Sequence, residues 1–152
     1  FRPSGNAAAM WDKYHLTKEQ TLELAELLSA YRDIVTGDSF FSITAADRKD
    51  LGLNMCGAAK MTCSVSPDGN MYPCAFLQQE AFLAGNVLTE SFIDIWHKAP
   101  IFNELRSLEP ASCKTCERFD LCHGGCPAIA YFLKNDIQTG DPACIINMDK
   151  CF

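Results

Sequence analysis

The sequence has no excess of basic side chains and no long apolar run. Its 152 residues carry 13 Lys and Arg against 19 Asp and Glu, which gives a net charge of −6. Proteins that bind the phosphate backbone take their affinity from Lys and Arg, so we do not expect a nucleic acid partner. A membrane-spanning helix needs roughly 18 apolar residues, and because no segment approaches that length we expect no membrane partner.

Several familiar motifs are also missing. No phosphate-binding loop, dinucleotide-binding fingerprint or Ser-His-Asp pattern is visible, so nothing indicates nucleotide binding or hydrolysis. Residues 1–5 contain neither an initiator Met nor the apolar core of a secretory signal peptide. We therefore expect a fragment of a longer protein. Its 48% hydrophobic and 21% charged side chains are typical of a globular domain.

Cysteine is absent from the first 55 residues and frequent after them. The nine cysteines are Cys56, Cys63, Cys74, Cys113, Cys116, Cys122, Cys126, Cys144 and Cys151. An odd number would leave one thiol outside a complete disulfide framework, and without a secretory signal we expect a reducing, cytoplasmic compartment. Clustered thiols in such a compartment usually bind metal, and thiolates select zinc, Cu(I) or iron–sulfur clusters.

The segment before the cysteines is predicted to contain one long helix, a strand and a linker. Thr17 and Gln20 form the capping-box pattern of a helix start, and Gly37 is a suitable terminator. Apolar side chains recur between them at three- and four-residue steps and predict one buried face: Leu24, Leu27, Leu28, Tyr31, Ile34 and Val35. Residues 38–43 are predicted as a short strand and residues 44–50 as a polar linker.

A β-hairpin and three short helices are predicted after the linker. The sequence Pro-Asp-Gly-Asn at 67–70 separates two short runs, 61–66 and 71–76, and suits a tight turn because Gly tolerates positive φ. The helices are expected at 91–98, where Ser91 and Asp94 form a weak capping box, at 100–108 and at 127–134. Together with the thiol-dense polar loop at 113–126, this pattern predicts an α+β domain with long Cys-rich loops.

Three interpretations of the thiols compete. Cys113-x2-Cys116-x5-Cys122-x3-Cys126 places four thiols within a short segment. Two four-cysteine zinc sites would form a structural module, but zinc sites usually pair two short Cys–Cys knuckles and this run has one. Disulfides are disfavoured by the expected compartment. Iron–sulfur ligation fits better, because thiolates from separated loops suit a cube with an iron at each of its four corners.

Residues beside these thiols have both a functional and an ordinary interpretation. Gly124 and Gly125 would let backbone N–H groups approach cluster sulfides, or would simply form a flexible turn. His123 could contact a cluster, but an ordinary loop role is favoured because eight thiols are already available. Lys114 and Arg118 could offset the negative charge of a thiolate-bound cluster, or could be solvated loop charges.

The spacing of the cysteines resembles that of a known family. Cys56-x12-Gly69-x4-Cys74, the run from Cys113 to Cys126 and finally Cys144 look like the signature of the SPASM domain. That domain is the C-terminal extension of radical S-adenosylmethionine (AdoMet) enzymes that modify peptides and proteins. Further segments resemble the C-terminal part of the mycofactocin maturases, at 2–5, 36–41, 52–58 and 82–88.

The resemblance implies a domain division and two ligand sets for auxiliary [4Fe–4S] clusters. Residues 1–50 would be the end of a radical AdoMet barrel with a linker, and residues 51–152 the SPASM domain. The first cluster would be bound by Cys56, Cys63, Cys74 and Cys126. The second would be bound by Cys113, Cys116, Cys122 and Cys144. Cys151 is then a ninth thiol without a role.

The sequence departs from a complete radical AdoMet enzyme at one point. The AdoMet-binding motif Cys-x3-Cys-x2-Cys is missing, because Cys122-x3-Cys126 is not followed by a cysteine three positions later. This chain alone should therefore not cleave AdoMet. AdoMet and a third [4Fe–4S] cluster are expected only in the full-length parent.

The resemblance also implies a reaction and partners. The parent would decarboxylate a C-terminal Tyr oxidatively and crosslink it to Val in a ribosomally made precursor peptide. A small peptide-binding chaperone protein would deliver that peptide, and an electron donor or acceptor would serve the clusters. This domain would take part in electron transfer and substrate placement. The alternative is a free-standing iron–sulfur or zinc module with a structural or electron-carrier role.

Overall fold

A computed structural model describes residues 2–31, 33 and 56–146. The predicted strand at 38–43, the linker at 44–50 and Cys151 lie outside the described residues. By packing, the chain divides into two compact units: Phe1–Cys56 together with Glu109–Phe152, and Gly57–Leu108. We call these unit 1 and unit 2 and describe each by itself.

Unit 1 begins with a 3-10 turn at Gly5–Met10, followed by helices α1 (Trp11–Tyr14) and α2 (Lys18–Ala30). The predicted capping box at the start of α2 is confirmed. The Gln20 N–H donates to Thr17 Oγ1 at 3.2 Å, and the Thr17 N–H donates to Gln20 Oε1 at 3.0 Å. These two bonds satisfy backbone donors that a helix start otherwise leaves open.

The buried face of α2 differs from the prediction. Ala25 is buried against Leu24 and Leu28, whereas Leu27 is 55% exposed. At 3.6 residues per turn, Leu27 is rotated by about 110° from the centre of the face that Ala25 belongs to. The helix also ends earlier than expected, because the backbone of Tyr31 is extended, with φ −111° and ψ 101°. The remaining predicted positions, Ile34, Val35 and Gly37, lie outside the described residues.

Unit 2 contains a three-stranded antiparallel sheet in the order β1 (Ser64–Val65), β2 (Asn70–Tyr72) and β3 (Gly85–Asn86). Ser64 lies opposite Tyr72 in the first pair, so the predicted hairpin is confirmed with shorter strands. Its turn needs Gly69, whose φ is +81° and where an added Cβ would stand 2.6 Å from Leu88 Cγ. Strand β3 was not predicted.

Two helices complete unit 2. Helix α3 (Phe92–Lys98) follows Ser91, but the Ser91 side chain makes no capping bond, so the predicted capping box is wrong there. The helix start relies on backbone bonds instead, with the Ile95 N–H donating to the Ser91 carbonyl at 3.0 Å. Helix α4 (Pro100–Arg106) buries Phe102 completely and is two residues shorter than expected.

The chain returns to unit 1 with α5 (Phe119–Cys122) and α6 (Pro127–Lys134), flanked by 3-10 turns at Ala111–Cys113 and Ile137–Thr139. Helix α6 is confirmed at its predicted bounds. The segment 113–126 is partly helical rather than a loop throughout, since α5 lies within it. The α+β class is confirmed. Across residues 2–31 and 56–146, we find no helix with the length and apolar character needed to cross a bilayer.

Candidate metal centre

Four of the predicted ligands line one cavity in unit 1: Cys113, Cys116, Cys122 and Cys144. The cavity contains about 270 Å³ of space free of protein atoms, part of it continuous with solvent. Its remaining wall consists of Phe119, Gly124 and Gly125. The structure thus gathers the complete second ligand set around one space, although the residues come from three separate segments.

Local backbone geometry explains how the first pair reaches the cavity. The Cys113 N–H donates to the Pro110 carbonyl at 2.8 Å, and the Cys116 N–H donates to the Cys113 carbonyl at 2.9 Å. This second bond closes a turn of four residues, 113–116, and both thiols of the Cys-x2-Cys pair line the cavity. Cys113 is buried and Cys116 is half-buried.

Cys122 and Cys144 reach the same cavity from α5 and from the C-terminal part of the unit. Both are buried, and they pack in one cluster with partly buried apolar neighbours. Three successive residues after Cys122 have left-handed backbones: His123 (φ 50°), Gly124 (φ 84°) and Gly125 (φ 77°). They reverse the chain directly after the thiol, and the Gly125 N–H donates back to the Cys122 carbonyl at 3.0 Å.

Two glycines without a Cβ allow neighbouring segments to pack closely around Cys113. A Cβ on Gly124 would stand 2.8 Å from Pro110 Cγ, and a Cβ on Gly140 would stand 2.9 Å from Cys113 Sγ. The predicted turn at Gly124 is therefore confirmed, while an approach of its N–H to a cluster sulfide stays a prediction. Gly140 was missed by sequence reasoning, because nothing in its neighbourhood along the chain indicates contact with Cys113.

The residues around the cavity suit an iron–sulfur cluster. Its potential donors are four thiols, and soft thiolates are the ligands that such clusters take, one for each iron. Within residues 2–31 and 56–146, no three His, Cys, Asp or Glu side chains form a group that could hold a single metal ion.

Burial raises the pKa of two of the thiols in unit 1. It raises the pKa of Cys122, where a backbone hydrogen bond from Gly124 acts in the opposite direction. It also raises the pKa of Cys126 to about 12, against the positive charge of Arg2, which lowers it. Metal binding must displace these protons, so loading of either thiol releases a proton.

Asp141 is a second residue that sequence reasoning missed. Its side chain is 3% exposed, and one carboxylate oxygen accepts the Cys126 N–H at 2.9 Å. Its negative charge contributes to the raised pKa of both Cys122 and Cys126. The Gly-Asp-Pro sequence at 140–142 could have indicated a side-chain-to-backbone turn here, because Asp commonly accepts a backbone N–H two residues ahead.

The other predicted ligand set is divided between the two units. Cys56 and Cys126 belong to unit 1, and they lie close enough for Cys56 to contribute to the raised pKa of Cys126. Cys63 and Cys74 belong to unit 2, where burial raises the pKa of Cys63. All four are half-buried. Their joint binding of one cluster stays a prediction.

The charged and imidazole side chains of the thiol segment have ordinary surroundings. Lys114 and Arg118 are exposed, and Arg2 is a cation that lies close enough to Cys126 to lower its pKa. His123 packs edge-on against Phe119, with ring centroids 5.6 Å apart. A contact of His123 with a cluster stays a prediction.

Comparison with known proteins agrees with the cysteine pattern. Residues 56–118 match the SPASM family, described as an iron–sulfur cluster-binding domain. The chain is 40% identical to the mycofactocin maturase MftC of Mycolicibacterium smegmatis, over 95% of this chain and 38% of that protein. It is 35% identical to the PqqA peptide cyclase of Methylocella silvestris, over 62% of this chain and 26% of that protein.

A solved structure shares the fold. Native anSMEcpe with bound AdoMet and the Cp18Cys peptide aligns with a TM-score of 0.53 at 17% identity, over 93% of this chain and 39% of that one. The chain thus spans about two fifths of the length of the mycofactocin maturase and of this structure, and less of the peptide cyclase.

Proposed function

We propose that this chain, whose residues 56–118 match the iron–sulfur cluster-binding SPASM family, is the auxiliary-cluster part of a radical AdoMet enzyme that modifies a ribosomally made peptide. The observation that carries the proposal is the cavity lined by Cys113, Cys116, Cys122 and Cys144. Similarity to the mycofactocin maturase over 95% of the chain supports the peptide-modifying class.

We assign two [4Fe–4S] clusters to the chain. The cavity thiols would bind one of them, and Cys56, Cys63, Cys74 and Cys126 would bind the other. Cys56 lies close enough to Cys126 to act on its pKa, and this proximity supports the assignment of both thiols to one cluster. The AdoMet-binding motif and a third cluster would be supplied by the parent protein, before residues 1–50, which would end its barrel.

The chain's own residues would hold, enclose and orient the clusters. When bound, an auxiliary cluster supplies one-electron transfer. Phe119 forms part of the cavity wall and would limit access of water to the thiolates. Gly124 and Gly140 allow the turn that carries Cys113 to pack closely. Residues 51–152 would thereby keep the clusters fixed for electron exchange and would help to place the peptide.

The finer proposal concerns the reaction and the partners. We propose oxidative decarboxylation of a C-terminal Tyr followed by its crosslinking to Val, as the resemblance to the mycofactocin maturases implies. The precursor peptide would be delivered by a small peptide-binding chaperone, and a cytoplasmic electron donor or acceptor would exchange electrons with the clusters.

Single-cysteine variants of the full-length parent test this function. Cys122→Ala and Cys126→Ala should each remove about four Fe, because each thiol belongs to a different cluster. Each should also abolish turnover of the precursor peptide. Cys151→Ala is the matched control and should keep both iron and turnover. If the parent kept full turnover after losing either cluster, the electron-transfer role would be wrong.

A further inference from the structure

Asp141 connects the two ligand sets through a group of hydrogen bonds. One carboxylate oxygen, Oδ2, accepts the Cys126 N–H at 2.9 Å. The backbone carbonyl of the same residue accepts the Cys144 N–H at 3.0 Å. Cys126 and Cys144 are assigned to different clusters, so one residue is bonded to the backbone of a ligand from each.

Two further bonds fix Asp141 itself. Its second carboxylate oxygen, Oδ1, accepts the Ala143 N–H at 2.9 Å, and its own N–H donates to the Gly124 carbonyl at 3.0 Å. A carboxylate that accepts a backbone N–H on each oxygen is held in one orientation, and hydrogen bonds donated to both oxygens favour its ionised form. The side chain is 3% exposed, so water does not readily replace these bonds.

We propose that Asp141 is a positioning residue. It holds the ligands Cys126 and Cys144 in a fixed position relative to each other, and it lowers the reduction potentials of the clusters they bind. This inference rests on the proposed cluster-binding function. A buried negative charge disfavours the addition of an electron nearby, and net charge is one of the determinants of cluster potential. Asp141 touches neither substrate nor iron in this account, and it acts through the cysteines.

Asp141→Asn and Asp141→Ala distinguish this role. Asparagine is nearly the same size but has one acceptor oxygen, so it loses at least one of the two N–H bonds, whereas alanine loses both. Asp136→Asn is a matched control in the same unit. Asp136 Oδ1 also accepts an N–H two residues ahead, from Gln138 at 2.8 Å. However, Asp136 is exposed, and Gln138 is not a predicted ligand.

The experiment is a redox titration of the full-length parent, followed by electron paramagnetic resonance, with iron content and circular dichroism on the same samples. We expect Asp141→Asn to keep the native fold, to shift cluster potentials to more positive values and to broaden the cluster signals. Asp141→Ala should show larger shifts and lose iron. Asp136→Asn should match the wild-type protein.

Three outcomes would overturn the inference. Unchanged potentials and signals in both Asp141 variants would remove the positioning role, and equal shifts in Asp136→Asn would show a non-specific charge effect. Global unfolding of Asp141→Asn would show that the residue supports the fold as a whole. A wild-type protein without auxiliary clusters would instead refute the proposed function, which separates that failure from the failure of the inference.

Discussion

Gly140 lies so close to Cys113 that a Cβ atom on the glycine would stand 2.9 Å from the thiol sulfur. The same Cβ would stand 2.9 Å from Ser112 Oγ. The Ser112 hydroxyl in turn donates to the Thr139 carbonyl at 2.5 Å. The segment around Gly140 therefore packs directly against Cys113, one of the four cavity thiols.

Gly140→Ala should displace Cys113 and reduce iron binding at the cavity. The backbone of Gly140, with φ 71° and ψ 172°, lies in a region that is nearly restricted to glycine and costs another residue about 1–3 kcal/mol, and the contact with the sulfur adds to that cost. Iron and sulfide analysis of the purified parent measures the effect. Gly5→Ala is the matched control, because Gly5 has φ +55° but nothing within 4 Å of an added Cβ. Equal iron contents in the two variants would show that contact with Cys113 is unimportant.

Removing the clusters should make the stability of the protein sensitive to alkaline pH through Cys126. Its folded-state pKa is about 12, above the ordinary value of 9.0 that applies to the unfolded chain. The stabilisation is complete below about pH 9 and decreases as pH rises towards 12, because the unfolded chain then binds fewer protons than the folded one. Urea unfolding of the cluster-free parent at several pH values measures this dependence.

The control for that experiment is Cys126→Ala, which lacks the titrating thiol. The free energy of unfolding should decrease more steeply with pH in the wild-type cluster-free protein than in this variant. Parallel pH dependences would contradict the raised pKa. In the cluster-loaded protein the steeper component should disappear, since a metal-bound thiolate carries no proton.

Arg106 should stabilise unit 2 more than any surface cation there. Its guanidinium donates to the carbonyls of Ala59 at 2.9 Å and Trp96 at 2.6 Å, and it lies 5.0 Å from the centroid of the Trp96 ring. Arg106→Ala leaves two carbonyls without this donor and should cost about 2–4 kcal/mol of local stability. Amide hydrogen exchange over residues 57–108 measures the loss.

Lys98→Ala is the matched control for Arg106→Ala. Lys98 pairs with Asp94 at 2.6 Å on the surface, and such exposed ion pairs contribute about 0–1 kcal/mol. We expect its exchange pattern to match that of the wild-type protein. Similar protection in the two variants would show that the hydrogen bonds of Arg106 to the two carbonyls add nothing beyond a surface charge.

The elements that sequence reasoning predicted correctly are those with local causes. Thr17 and Gln20 contain both partners of a capping box, and Gly69 provides the positive φ that the hairpin turn needs. Each signal lies within four residues of the structure it produces. The spacing of Cys113, Cys116 and Cys122 is similar in kind, since short intervals restrict where their thiols can lie, whereas Cys144 joins them from a later segment.

The elements that sequence reasoning missed depend on distant contacts. Strand β3 has two residues, too few to show alternation, and it forms only by pairing with β2. Leu27 follows the apolar spacing of α2 but is exposed, because the buried face is formed by Leu24, Ala25 and Leu28. Asp141 acquires its position from a bond to Cys126, fifteen residues earlier. No local sequence pattern indicates that Cys126 is the partner of Asp141.

The most direct test of the account is the metal content of the parent protein after its AdoMet-binding cysteines have been replaced. Only the clusters of this chain then remain. Anaerobic purification followed by iron, sulfide and zinc analysis should give about eight Fe and eight sulfides per chain, with broad visible absorption. A colourless protein that holds about two Zn would contradict the account and would indicate a structural zinc module.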